Sequence, residues 1–214
     1  GNLVTNYDWR DMWLHEGFGT YMQALYMEEL RGSEGYHAYM DHMRSFSNRL
    51  AVAPRETRSA VEIYRAPIYT KGAWVLHTLR YLLGDEAFFD ALRRMAYPSP
   101  GLERITGGRQ ARFATTADFQ RICEQASGKD LDWFFDLYLH QPKLPVLHSR
   151  IENDQLRLYW ETPDDLPCLM PVQVALNGDI LRLELTREGV VIPLQKGQQP
   201  EVDPQRWLLM EVQP

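Results

Sequence analysis

The hydrophobic period of this chain changes near Pro142, and that change limits the folds open to it. Before Pro142, apolar residues recur at three- and four-residue steps. Leu14, Phe18, Tyr21 and Leu25 make one such stripe, the pattern of a helix packed on a single face. After Pro145 the alternation is every second residue, as in QLRLYW at residues 155–160, which is the mark of a half-buried strand. A helical segment followed by a β segment is therefore expected, joined by the proline-containing linker 141–145.

The helical half predicts a helix from about Asp11 that stops before Gly32 or Gly35, then a second over 34–50. A third is expected over 70–83 with Gly84 closing it, and a fourth through about Ala96 with Asp85 as its cap. Residues 98–108 read as a long loop. Thr115 offers an N-cap for a helix through Ala126 that ends at Gly128, and 130–139 predicts a final, very apolar helix. In the β half, strands are expected at 155–160, 172–176, 180–185, 190–194 and 207–212. Asn153-Asp154 and Asn177-Gly178 supply hairpin turns. The fold class is mainly α with a C-terminal all-β part, a small antiparallel sandwich, with a helical domain over 1–141 and a β-sandwich domain over 142–214.

A formal net charge of −6 counts against nucleic acid as a partner, because a phosphate-binding face shows as a basic excess. No apolar run reaches transmembrane length. Cys123 and Cys168 have no metal-binding spacing and read as ordinary buried thiols. Nothing here fixes a cellular address; cytoplasm and periplasm both fit.

The stretch DMWLHEGFGTYMQ at residues 11–23 holds a carboxylate, Glu16, among apolar neighbours. Burying a carboxylate is costly unless its charge is met. A metal ion would meet it, and so would a salt bridge at a helix start. GNLVT at residues 1–5 and WRDMWLHEGF at 9–18 resemble the segment just after HExxH in aminopeptidase N-type zinc metallopeptidases. These are gluzincins with the pattern HExxH-x18-E, a group that includes leukotriene hydrolase. By that resemblance Glu16 is the third zinc ligand. The chemistry accounts for the pattern: a catalytic zinc takes three protein ligands and keeps a position open, and two histidines one helical turn apart need a third ligand from elsewhere.

IYRAPIYTKGA at residues 63–73 resembles the YxKG segment of the same family, which implies that Tyr69 donates a hydrogen bond to the oxyanion of the reacting substrate. The plainer reading is a tyrosine packed at a helix start. Tyr64 reads as pocket wall and Lys71 as local support. Residues 115–139 and 146–212 resemble the closing helices and the β-sandwich that follow in the family. The implied fold is the second half of a thermolysin-like helical catalytic domain, then a β-sandwich.

The chain contains no HExxH and no GAMEN-type segment. The resemblance thus implies the downstream part of a zinc aminopeptidase that hydrolyses N-terminal residues from peptides. The chain alone is expected to hold no zinc stably and to be inactive. Self-association through the face left uncovered is expected too, and a clean monomer by light scattering at high concentration would count against it. The rival reading is a non-catalytic binding or scaffolding protein, a pseudoenzyme on the same fold. His15, beside Glu16, points about 100° away from it on a helix and reads as a support behind the metal ligands or as packing, rather than as a ligand itself. His37, His42, His77, His140 and His148 show no ligand spacing.

Overall fold

The computed structural model describes residues 1–57 and 59–213. Strand β1 (Val4–Asn6) leads into helix α1 (Trp13–His42). Helices α2 (Ala60–Ile63), α3 (Thr70–Leu83) and α4 (Asp85–Ala96) follow. Strand β2 (Arg112–Ala114) then pairs in parallel with β1. Helices α5 (Thr116–Ser127) and α6 (Asp132–Phe135) complete the helical part, and Asp136–His140 extend α6 as a wider π-helical turn. The rest is β: β3 (Val146–Glu152), β4 (Gln155–Glu161), β5 (Val172–Leu176), β6 (Asp179–Leu183), β7 (Val190–Pro193), β8 (Glu201–Val202) and β9 (Glu211–Gln213). The strands form two sheets, ordered β7-β4-β3-β9 and β6-β5-β8. Leu147, Leu156 and Leu158 of the first share a buried core with Val172 and Val174 of the second.

Where local chemistry is strong, the expected bounds hold. α3 and α4 meet at Gly84, whose φ of 81° suits glycine. Thr115 and Asp118 form a reciprocal capping box on α5. Asn153-Asp154 and Asn177-Gly178 all have positive φ and close two-residue hairpins, β3–β4 and β5–β6. Both cysteines are free.

Several expectations are corrected. The two helices expected over residues 11–50 run together as α1 with a break at Gly32 (φ 69°, ψ −168°), and the second ends at His42, not near 50. Asp85 does not cap α4; its carboxylate accepts from Arg80 at 2.7 and 2.9 Å. The helix expected over 130–139 divides into α6 and the π-helical turn. The sandwich is antiparallel except that β9 runs parallel to β3. The strand expected over 207–212 is present only as β9.

The reason lies in α3, which is buried along nearly its whole length. Its Thr78, together with Arg44 after α1 and Asp203, takes up backbone groups that a strand would have used. Thr78 Oγ1 donates to the Trp207 carbonyl at 2.9 Å and accepts from Leu209 N–H at 3.0 Å. Arg44 donates to the carbonyls of Leu208 and Met210, and Asp203 accepts the N–H groups of Trp207 and Leu208, both at 2.9 Å. Lys71 is fully buried and its Nζ donates to the Pro142 carbonyl at 2.7 Å. It supports local structure, as expected, and burial lowers its pKa to about 8.

Candidate functional site

Two glycines set the geometry of the site. A Cβ on Gly17 would lie 3.1 Å from the Gly72 Cα and carbonyl carbon and 3.2 Å from the Ile68 carbonyl oxygen. A Cβ on Gly72 would lie 3.1 Å from Gly17 Cα. The obstacles are backbone on both sides, so α1 and α3 cross at a distance that side chains would not allow. Gly17→Val is expected to cost about 1–3 kcal/mol through overpacking, read as a lowered thermal midpoint. A variant as stable as the parent would show that the helices separate freely.

The crossing brings Glu16, in the first turn of α1, next to Tyr69 at the start of α3. The start of α1 is itself anchored. Trp13 Nε1 donates to Thr116 Oγ1 at 2.8 Å, and the Thr116 hydroxyl and N–H donate to the Asp11 carboxylate at 2.6 and 3.1 Å. Trp13, Phe18 and Phe119 pack ring to ring beside that anchor.

Two phenols face the Glu16 carboxylate. Tyr64 Oη lies 3.5 Å from Glu16 Oε1, a long donor contact. Tyr69, at the start of α3, stands near enough for the same carboxylate to act on it: burial first, and then Glu16, raise the pKa of its phenol. Both tyrosines stay open to solvent, 49% and 43% exposed. Among the described residues no lysine, arginine or histidine forms an ion pair with Glu16, so the salt-bridge alternative has no partner there. Tyr64, read from sequence as pocket wall, has its hydroxyl on this carboxylate; a lone tyrosine five residues before Tyr69 carries no periodic signal to announce that.

His15 turns away. Its Nε2 accepts from Asn6 N–H at 3.2 Å and lies 2.7 Å from Thr5 Oγ1, and burial lowers its pKa. Its place is under β1. His140 bonds the Ala53 carbonyl and His148 pairs with Glu161. His77 and His37 pack against Trp207. Among the described residues, the one group of three possible metal-ligating side chains is Glu124, Asp130 and Asp132, and it belongs to the turn between α5 and α6. There Glu124 accepts Leu131 N–H, Asp130 accepts Asp132 N–H, and Gln120 donates to Glu124 and Asp132.

The chain matches the Peptidase family M1 domain over residues 1–138. It is 31% identical over 216 residues to Aminopeptidase N of Lactococcus lactis subsp. lactis, covering 90% of this chain and 24% of that protein. To Aminopeptidase 2, mitochondrial, of Saccharomyces cerevisiae it is 29% identical over 219 residues, covering 91% and 22%. Among solved structures, Legionella pneumophila aminopeptidase A in complex with aspartic acid superposes with a TM-score of 0.69 at 20% identity, covering 99% of this chain and 25% of that one. That last likeness concerns the fold. The chain spans about a quarter of the length of these relatives.

Proposed function

The chain belongs to peptidase family M1, and on that basis we propose that it supplies part of the catalytic centre of a zinc-dependent aminopeptidase acting on peptides. Glu16 is one zinc ligand, and Tyr69 donates a hydrogen bond to the carbonyl oxygen under attack. Residues 1–141 belong to the catalytic domain in this reading, and 142–214 to a separate β-sandwich domain. The observation that supports it most is a Glu16 carboxylate with no cationic partner among the described residues, placed by the Gly17–Gly72 crossing beside the start of α3, where Tyr69 is exposed.

Glu16 fits the metal: among the described residues its carboxylate has no cationic partner, it is only partly buried, and it sits one residue before the close Gly17–Gly72 crossing. It is one ligand of the three that a catalytic zinc takes from protein. The chain has no HExxH, so the histidine pair and the general base come from outside it. When bound, zinc supplies Lewis-acid polarisation of the scissile carbonyl. Tyr69 then acts as a preorganised donor at the place where negative charge develops. A phenol's ordinary pKa of about 10 keeps Tyr69 protonated, and so able to donate, at neutral pH.

Metal content tests the ligand assignment. This chain by itself, equilibrated with zinc and desalted, is expected to retain none by elemental analysis, with or without Glu16→Ala. Stoichiometric zinc that disappears in Glu16→Ala would mean that Glu16 finds other ligands within the chain or in a second copy. In the longer protein that carries this sequence, Glu16→Ala is expected to abolish stoichiometric zinc; full retention would refute the assignment.

A further inference from the structure

We propose that the groove between α4 and α5 is a docking site for an acidic polypeptide segment, which its arginines grip by their guanidinium groups. The groove has a volume of about 990 Å³ and is bounded by α4, α5 and the loop that follows Tyr97. Arg93, Arg94, Arg104, Arg112 and Arg121 line it, with no lysine among them. Against them stand three acids, Asp90, Glu103 and Asp118, so the five arginines leave the lining with a net charge of +2 in a chain of net charge −6.

The arginines are underused. Arg93 reaches Glu103 at 3.2 Å, Arg94 reaches Asp90 at 2.6 Å, and Arg121 contacts Asp118, yet these arginine side chains remain 69%, 49% and 61% exposed. Ion pairs this open to water are weak, so an incoming carboxylate can share or replace them. Arg104 is exposed and forms no ion pair among the described residues. Arg112 meets only carbonyl oxygens and the Met95 sulfur, and its buried Nε has no partner. A guanidinium offers several donors in a planar fork that matches a carboxylate. The groove therefore presents far more donors than its own acids take up.

The arrangement favours a peptide over a nucleic acid. Asp90, Glu103 and Asp118 interrupt the basic run and would repel a continuous phosphate backbone. Carboxylates spaced along a peptide can settle between them. Tyr97, Pro98 and Ile122 supply apolar surface for the residues between those carboxylates.

Fluorescence anisotropy with a fluorescein-labelled peptide of about ten residues, alternating Glu and Ala, tests this on the chain as it stands. Saturable binding is expected, weakening as salt rises. Arg104→Glu/Arg121→Glu is expected to weaken it at least about tenfold, the scale of a lost charge pair at an interface, with the thermal midpoint unchanged. Arg104→Glu alone, at a residue free of ion pairs, gives the same direction if the double variant is destabilised. Glu103→Ala, which removes a resident competitor, is expected to tighten binding. The proposal is overturned if the peptide does not bind, or if the reversals leave its affinity unchanged. It is equally overturned if an alternating Lys and Ala peptide binds as well, or if a single-stranded oligonucleotide of equal charge binds more tightly.

Discussion

Acidification is expected to destabilise this chain through His77. The residue is fully buried on α3 and locked in one tautomer: Nε2–H donates to the Arg206 carbonyl at 2.9 Å, so Nδ1 accepts from the Tyr36 hydroxyl at 2.6 Å. Tyr21 in turn donates to Tyr36 at 2.9 Å. Trp207 stacks on the imidazole at 4.7 Å. Burial lowers the His77 pKa from 6.5 to about 3; the hydrogen bond to the Arg206 carbonyl opposes this, and the nearby His37, Arg80 and Arg44 add to it. The folded pKa lies below the unfolded one, so the unfolded chain takes up the proton first. Stability is complete above pH 6.5 and is lost as pH falls toward 3, by about 4–5 kcal/mol over the window.

Asp203 works in the opposite sense, because burial pushes it up to about 6 despite its two N–H donors. Its contribution is largest below 3.8 and disappears as pH rises through 6. The two are separated by a variant. Urea unfolding of the parent and of His77→Gln from pH 7 to pH 3.5 is expected to show a gap that narrows on acidification, since the variant has no imidazole to charge. A gap independent of pH would mean that His77 is protonated in the folded state at little cost.

On the proposed reading, Tyr69→Phe is expected to lower kcat of the longer protein that carries this sequence by about 10²–10³, the effect of removing one oxyanion donor, with KM nearly unchanged. The phenyl ring keeps the packing of the α3 start, so zinc content and thermal midpoint should match the parent. That split distinguishes a donor that acts in the transition state from a residue that only packs. Equal losses in stability and activity would return Tyr69 to the plainer role of a helix-start tyrosine. Tyr64→Phe serves as the internal comparison. It removes a hydroxyl from the same carboxylate at 3.5 Å without removing the donor assigned to the substrate.

Much of the architecture follows from signals a few residues long. The change of period at Pro142 separates helical from β structure because side-chain direction repeats every 3.6 residues in a helix and every two in a strand. Thr115, Gly84, Gly128 and the pairs Asn153-Asp154 and Asn177-Gly178 mark ends and turns because each satisfies a backbone need on the spot. The spacing around Glu16 and the segment leading to Tyr69 are equally visible as strings of residues, although their meeting is not.

Only the tertiary structure decides that meeting, since it depends on Gly17 and Gly72, far apart in sequence, being bare on facing sides. The same holds for the segment after Asp203. Its apolar alternation reads as a strand, yet His77, Thr78 and Arg44 of the helical part take its carbonyls. It also holds for the parallel pairs β1–β2 and β3–β9, whose strands are three residues long where they pair and are recruited from distant parts of the chain. Local propensity specifies where elements start and stop. Which backbone group finds which partner across the core is a matter of packing, because a hydrogen bond between distant residues leaves no periodic trace in either segment.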